Sequence, residues 1–170
     1  MPLCSQITQE QQSRRQDAPR RICFVCTGNT CRSPMAAAVA NAMEAKRAGD
    51  LSRLIATSAG LYAQQGAPIT SEAVSALERM GVPVTKGADY HAHTAHSLTD
   101  AEAADADVLV AMSRSHAMGL LLRFPEAASK IVCMPKEISD PFGGDLARYE
   151  DCLAEIVEGV RALLFAGEEA

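Results

Sequence analysis

The sequence predicts an α/β domain in which a four-stranded parallel sheet carries helices on both faces. Three observations predict it. Short apolar runs alternate along the chain with segments of helical periodicity, the order expected of βαβ units rather than hairpins. Val108-Leu109-Val110-Ala111-Met112 is apolar at every position, as a strand covered on both faces must be. The last helical segment carries Tyr149, Leu153, Ile156, Val157, Val160 and Leu164 on one stripe, which calls for a broad surface to pack on.

The elements follow in order. Residues 1–19 are polar and Gln-rich, without periodicity, and are expected to form a disordered extension; residues 20–167 are expected to form a single domain. Ile22-Cys23-Phe24-Val25 reads as a buried strand. A Gly-containing loop runs from Cys26 to Ser33, and Pro34 suits the first turn of a helix, where its missing N–H leaves no bond unmade. Met35, Val39, Ala42 and Met43 recur at helical spacing as far as Ala48, and Gly49 ends the run. Leu54-Ile55-Ala56-Thr57 is a second strand, closed by a loop at Ser58-Ala59-Gly60. Ser71 to Met80 reads as a helix with Val74, Leu77 and Met80 on one face and Gly81 as its stop. Thr99 and Glu102 have the spacing of a capping box for a short helix. After the 108–112 strand, Ser113 to Phe124 is helical and stops before Pro125. Lys130 to Cys133 is a fourth strand, a loop with Asp140-Pro141 and Gly143-Gly144 follows, and Asp145 caps the last helix. In such a sheet ligands bind beyond the carboxyl ends of the strands, and the loops at Cys26, Ser58 and Asp140 are all expected at that edge.

Composition narrows the function classes. A net charge of −5 argues against a general nucleic-acid footprint, and Arg14, Arg15, Arg20 and Arg21 read as a solvated basic cluster at the edge of the fold. No apolar run reaches membrane-spanning length and no secretory pattern opens the sequence, so a cytoplasmic protein with no membrane partner is expected. The six cysteines (Cys4, Cys23, Cys26, Cys31, Cys133 and Cys152) are too dispersed for a disulfide scaffold. Cys23 has CxxC spacing with Cys26 but lies in an apolar run; Cys23, Cys133 and Cys152 are all expected as packing residues.

The segment Cys26-Thr27-Gly28-Asn29-Thr30-Cys31-Arg32-Ser33-Pro34 carries the chemistry. Taken alone, a Cys and an Arg six positions apart also describe an inert Cys beside a turn with a surface Arg. Between a strand and a helix they describe a phosphate cradle. Backbone N–H groups of such a loop point inward onto phosphate oxygens, with the helix N-terminus behind them. Gly28 and Asn29 are residues that tolerate positive φ. Arg32 offers a planar fork to two oxygens. Such surroundings favour a thiolate, to which Ser33 can donate a hydrogen bond.

The run from Cys26 to Ala36 resembles the signature of the low-molecular-weight protein tyrosine phosphatase family, and the resemblance extends from about residue 21 to about 165. It implies the family's four-stranded parallel, Rossmann-like fold, phosphorylated protein substrates, and no metal or organic cofactor. It also implies that Cys26 is the nucleophile, Arg32 the phosphate clamp, and Asp140 in Asp140-Pro141-Phe142-Gly143-Gly144 the general acid. Thr27, Gly28, Asn29, Thr30, Cys31, Ser33 and Phe142 complete the expected substrate and phosphate contacts. Asn29, Ser33, Ser58 and His93 match a supporting hydrogen-bond network; the neighbouring His91 and His96 leave open a surface His-rich loop or a metal patch. Ala37 stands where the family usually has Glu.

Two choices bear on the substrate. Thr30 occupies a position where tyrosine-directed members often carry a larger aliphatic residue, and Phe142-Gly143-Gly144 replaces a pair of aromatics. Both resemble the protein arginine phosphatase branch; protein tyrosine phosphatase is the alternative. An arsenate reductase would need further cysteines after the second helix, and residues 81–110 hold none. A non-catalytic phosphate-binding or redox-sensing module would not need Cys26, Arg32 and Asp140 together. Cys31, in the same loop as Cys26, predicts reversible oxidation through a disulfide between the two.

Overall fold

The computed structural model describes residues 18–167, so most of the segment expected to be disordered, and Cys4, lie outside the described residues. Strands β1 (Arg20–Cys26), β2 (Leu54–Gly60), β3 (Val108–Ala111) and β4 (Ile131–Cys133) form one parallel sheet in the order β2-β1-β3-β4. Helices α1 (Arg32–Ala48), α2 (Ser71–Arg79), α3 (Asp100–Asp105), α4 (Arg114–Arg123) and α5 (Leu146–Leu164) connect the strands and flank them. The chain leaves β1 for β2 on one side and returns past it to β3 on the other. The carboxyl end of β1 is therefore the topological switch point, and Cys26 is its last residue.

Strand periodicity divides the core in two. Ile22, Phe24 and Cys26 face one layer, where they meet Met35, Leu77, Tyr149, Leu153 and Ile156 of α1, α2 and α5. Cys23 and Val25 face the other, with Leu98, Ala103, Leu120 and Phe124. A spacing of three along a strand puts Cys23 and Cys26 on opposite faces, so the CxxC pattern makes no thiol pair. Burial pushes the Cys23 thiol up to about 12, the state of an inert packing residue.

The caps follow the sequence. Thr99 and Glu102 form the complete capping box of α3, and the Asp145 carboxylate accepts from the Arg148 N–H at the start of α5. Ser113 and Phe124 bracket α4 as its caps.

Four expectations are corrected. β2 does not close at Thr57: Ser58, Ala59 and Gly60 continue to pair with Phe24, Val25 and Cys26, so Ser58 is a strand residue. Met80 lies past the end of α2 and is 44% exposed, while Ala73, Ala76 and Leu77 form the buried face. Cys133 is exposed rather than packed, because it ends a three-residue edge strand that little covers. Among the residues of the Cys26 loop only Asn29 takes a positive φ, at 57°; Gly28 does not need one. Among the described residues no helix is long and apolar enough to cross a membrane.

Candidate active site

The loop from Thr27 to Cys31 turns between the buried end of β1 and the buried first turn of α1. The N–H groups of Gly28 to Cys31 donate to no backbone acceptor among the described residues. α1 opens without a side-chain cap and without an acidic residue in its first turn, and Ala37 adds none in the second. The positive end of its dipole is thus left to the loop.

Asn29 holds the loop's shape. It is fully buried, and its amide donates to Ser33 Oγ at 2.9 Å and to Ser58 Oγ at 3.0 Å. Its side-chain oxygen accepts from the His96 N–H at 3.1 Å. Its carbonyl accepts from His93 Nε2 at 2.8 Å, which fixes the proton on that nitrogen. The expected network of Asn29, Ser33, Ser58 and His93 is therefore brought together, with the His96 backbone added. Burial holds His93 below the ordinary histidine range. The three neighbouring histidines do not converge: His91 bonds Asp89 and Glu78, while His96 Nε2 donates to Glu102 at 2.6 Å.

Ser33 Oγ lies 3.0 Å from Cys26 Sγ. Because Asn29 occupies one of its lone pairs, the hydroxyl proton is free to point at sulfur; the alternative acceptor, the Ala59 carbonyl, is more distant at 3.4 Å. Cys26 itself is 2% exposed, at the floor of the loop.

Arg32 is buried, with one terminal nitrogen 3.4 Å from the Ile138 carbonyl and the other 3.4 Å from Asp140 Oδ2. Its Nε is buried and has no hydrogen-bond partner, alone among the described buried side-chain polar atoms. A buried donor left unmatched costs about 1–3 kcal/mol, more when charged, so a group of this kind calls for an explanation.

Asp140 approaches from the loop after β4. Its Oδ1 accepts from the Phe142 N–H at 3.1 Å, which leaves Oδ2 towards Arg32. α5 braces this loop at three points: Glu155 accepts from the Ser139 N–H and hydroxyl, Cys152 donates to the Ser139 carbonyl, and Arg148 donates to the Asp140 carbonyl at 3.1 Å. Phe142 is 69% exposed and free to line the mouth. Thr30 is half-buried, its hydroxyl 3.8 Å from Cys31 Sγ and its carbonyl tied to the Thr70 N–H.

The chain is similar to known proteins. The model of the family described as low molecular weight phosphotyrosine protein phosphatase matches residues 21–169. The chain belongs to that family. It is similar to a protein-arginine-phosphatase of Geobacillus stearothermophilus, 34% identical over 145 residues, covering 81% of this chain and 89% of the relative. It is also similar to the low molecular weight protein-tyrosine-phosphatase PtpB of Staphylococcus epidermidis, 29% identical over 154 residues, covering 87% and 99%. Among solved structures, the low molecular weight protein tyrosine phosphatase of T. tengcongensis superposes with a TM-score of 0.76 at 36% identity, covering 86% of this chain and 98% of that one. The chain is thus an enzyme of the low-molecular-weight protein phosphatase family.

The structure adds residues that the sequence did not single out. Ser139 and Glu155 brace the Asp140 loop, and His116 bonds the loop residue Thr27 from α4. His116 is 89 residues from Thr27, in a segment that reads only as a helix start, and no local motif marked it.

Proposed function

We propose that the protein dephosphorylates phosphoarginine residues in proteins through a cysteinyl-phosphate formed on Cys26. The buried, unpartnered Arg32 Nε carries the phosphatase half of this reading. Nε and a terminal nitrogen form the fork that two phosphoryl oxygens require, and the free loop N–H groups supply the third direction.

The chemistry then runs in two steps. The Cys26 thiolate attacks phosphorus as the bond to the leaving nitrogen breaks, and Asp140, as the acid, gives that nitrogen its proton. Asp140, now a carboxylate, takes a proton from water as the water oxygen attacks phosphorus. The P–S bond breaks, and inorganic phosphate and the Cys26 thiolate are released. Ser33 steadies the thiolate at each end of the cycle from 3.0 Å.

Phosphoarginine is favoured by Thr30 and by the Phe142-Gly143-Gly144 loop. A Thr hydroxyl at the rim offers a polar partner to guanidinium N–H groups where an aliphatic wall would not. Gly143, at φ 76°, and Gly144 follow Phe142 where a second aromatic would add bulk to this loop. The similarity to a protein named as an arginine phosphatase supports the same reading. Phosphotyrosine is the second reading, supported by the similarity to named tyrosine phosphatases.

A side-by-side comparison of kcat/KM on phosphoarginine and phosphotyrosine peptides tests the proposal. Wild type is expected to prefer phosphoarginine, and Thr30→Ile to move the ratio towards phosphotyrosine by tenfold or more, on the order of one lost polar contact. A wild-type preference for phosphotyrosine would overturn the arginine reading and leave the phosphatase reading standing.

A further inference from the structure

His116 occupies the first turn of α4, yet its side chain belongs to the phosphate loop. It is 4% exposed. Nδ1 lies 2.9 Å from Ser113 Oγ, and Nε2 lies 2.9 Å from Thr27 Oγ1. Thr27 directly follows the nucleophile, and its carbonyl is held from the other side by the Tyr62 N–H at 3.0 Å.

We propose that His116 is a positioning residue for the phosphatase reaction: through Thr27 it fixes the peptide unit that follows Cys26. The inference rests on the phosphate-loop reading above. It concerns a residue that touches neither the phosphoryl group nor the leaving group.

The bonding supports a directed chain rather than space filling. A neutral imidazole has one donor and one acceptor, so Ser113 and Thr27 between them satisfy both nitrogens. Ser113 is itself fixed: its oxygen caps α4 by accepting from the His116 N–H, and it lies 2.8 Å from Ser115 Oγ. The imidazole is therefore held at its base by a helix cap and at its tip by the loop. Burial and the Arg32 guanidinium push its pKa down to about 4, against the opposing pull of Asp140 and Glu137, which keeps the ring neutral beside that cation.

A packing role and a positioning role differ at Thr27. Thr27 is exposed, so its hydroxyl would find water if the histidine were gone, and nothing buried would be left unpaired. Packing alone thus makes activity indifferent to the Thr27 hydroxyl. Positioning makes it depend on that hydroxyl, because the N–H groups of the loop must meet a transition state whose oxygens leave little tolerance.

The test uses an aryl phosphate, orthovanadate as a mimic of the pentacoordinate phosphorus, and thermal unfolding. Four variants are compared: His116→Ala, His116→Gln, Thr27→Val, and His116→Ala with Thr27→Val. Gln reaches the position of Nε2 and is expected to retain most activity. His116→Ala and Thr27→Val are each expected to lower kcat/KM about tenfold or more, with vanadate affinity falling in proportion. The double variant is expected to be no worse than the poorer single one. The inference is overturned by full activity in Thr27→Val, by single losses that multiply in the double variant, or by a folded His116→Gln as inactive as His116→Ala. Should His116→Ala fail to fold, Thr27→Val and His116→Gln decide the matter. Failure of wild type itself to hydrolyse the aryl phosphate would instead bring down the phosphatase reading, and this inference with it.

Discussion

Cys31 stands in the same loop as Cys26 and is the N-cap residue of α1, yet it contributes no side-chain cap bond there. Its thiol is 6% exposed, and burial raises its pKa, so it is a poor nucleophile at rest. Both it and Cys26 belong to the same core layer. If peroxide converts the Cys26 thiol to a sulfenic acid, we propose that Cys31 condenses with it, releasing water and forming a disulfide that a thiol reductant reopens. Wild type is therefore expected to lose activity under peroxide and regain it with reductant, while Cys31→Ser loses it for good. Equal recovery of the two would show that Cys31 gives no protection. The candidate residues of this loop could be picked out because their spacing is local to the chain, and Asp140 because Asp140-Pro141 follows the last strand. His116 was not, because its role arises only when β3 brings α4 beside the end of β1.

At the scale of elements, the end of β2 decides how closely the phosphate loop can sit. A Cβ on Gly60 would lie 2.6 Å from the Thr27 carbonyl and 3.0 Å from Ala63 Cβ. Meanwhile Leu61 and Tyr62 donate to the Cys26 and Thr27 carbonyls at 2.9 and 3.0 Å. Gly60 is thus needed for approach rather than for its own backbone angle. Gly60→Ala is expected to push the loop away and lower kcat/KM by about 10²-fold, the scale of a misplacement near 1 Å, with a stability loss of about 1–3 kcal/mol from overpacking. Kinetics together with denaturant unfolding check this; wild-type kinetics in that variant would mean the loop has room to give. The sequence announced β2 by its first four residues, but Ser58-Ala59-Gly60 reads as a turn. Only the pairing with β1 reveals that those small residues are strand, chosen so that another loop can rest on them.

At the scale of the whole molecule, stability and function share the switch point of the sheet. The buried run of β1 was readable, and so were the helices on both faces of the sheet; the exposure of Cys133 was not, since edge position depends on strand order. The same packing buries His116 among Arg32, Asp140 and Glu137. Its pKa falls from 6.5 to about 4 on folding, so between those values the unfolded chain binds the extra proton. Stability from this group is complete above pH 6.5, declines as pH falls through the window, and is gone below about 4. A shift of this size corresponds to roughly 3 kcal/mol. His93, also lowered by burial, adds in the same sense. Denaturant unfolding at pH 6.5 and at pH 4 is expected to show a larger loss for wild type than for His116→Gln. Parallel losses would mean that His116 is not buried neutral.

The claim that Cys26 takes the phosphoryl group is tested most directly by trapping it. Asp140→Ala, which lacks the residue proposed to activate water, is mixed with an aryl phosphate whose leaving group needs little protonation. The reaction is then quenched and the peptides are analysed by mass spectrometry. A single phosphoryl group on the sulfur of Cys26, in the peptide that contains it, is the predicted result. Turnover with no label on Cys26, or label on another residue, would contradict the account.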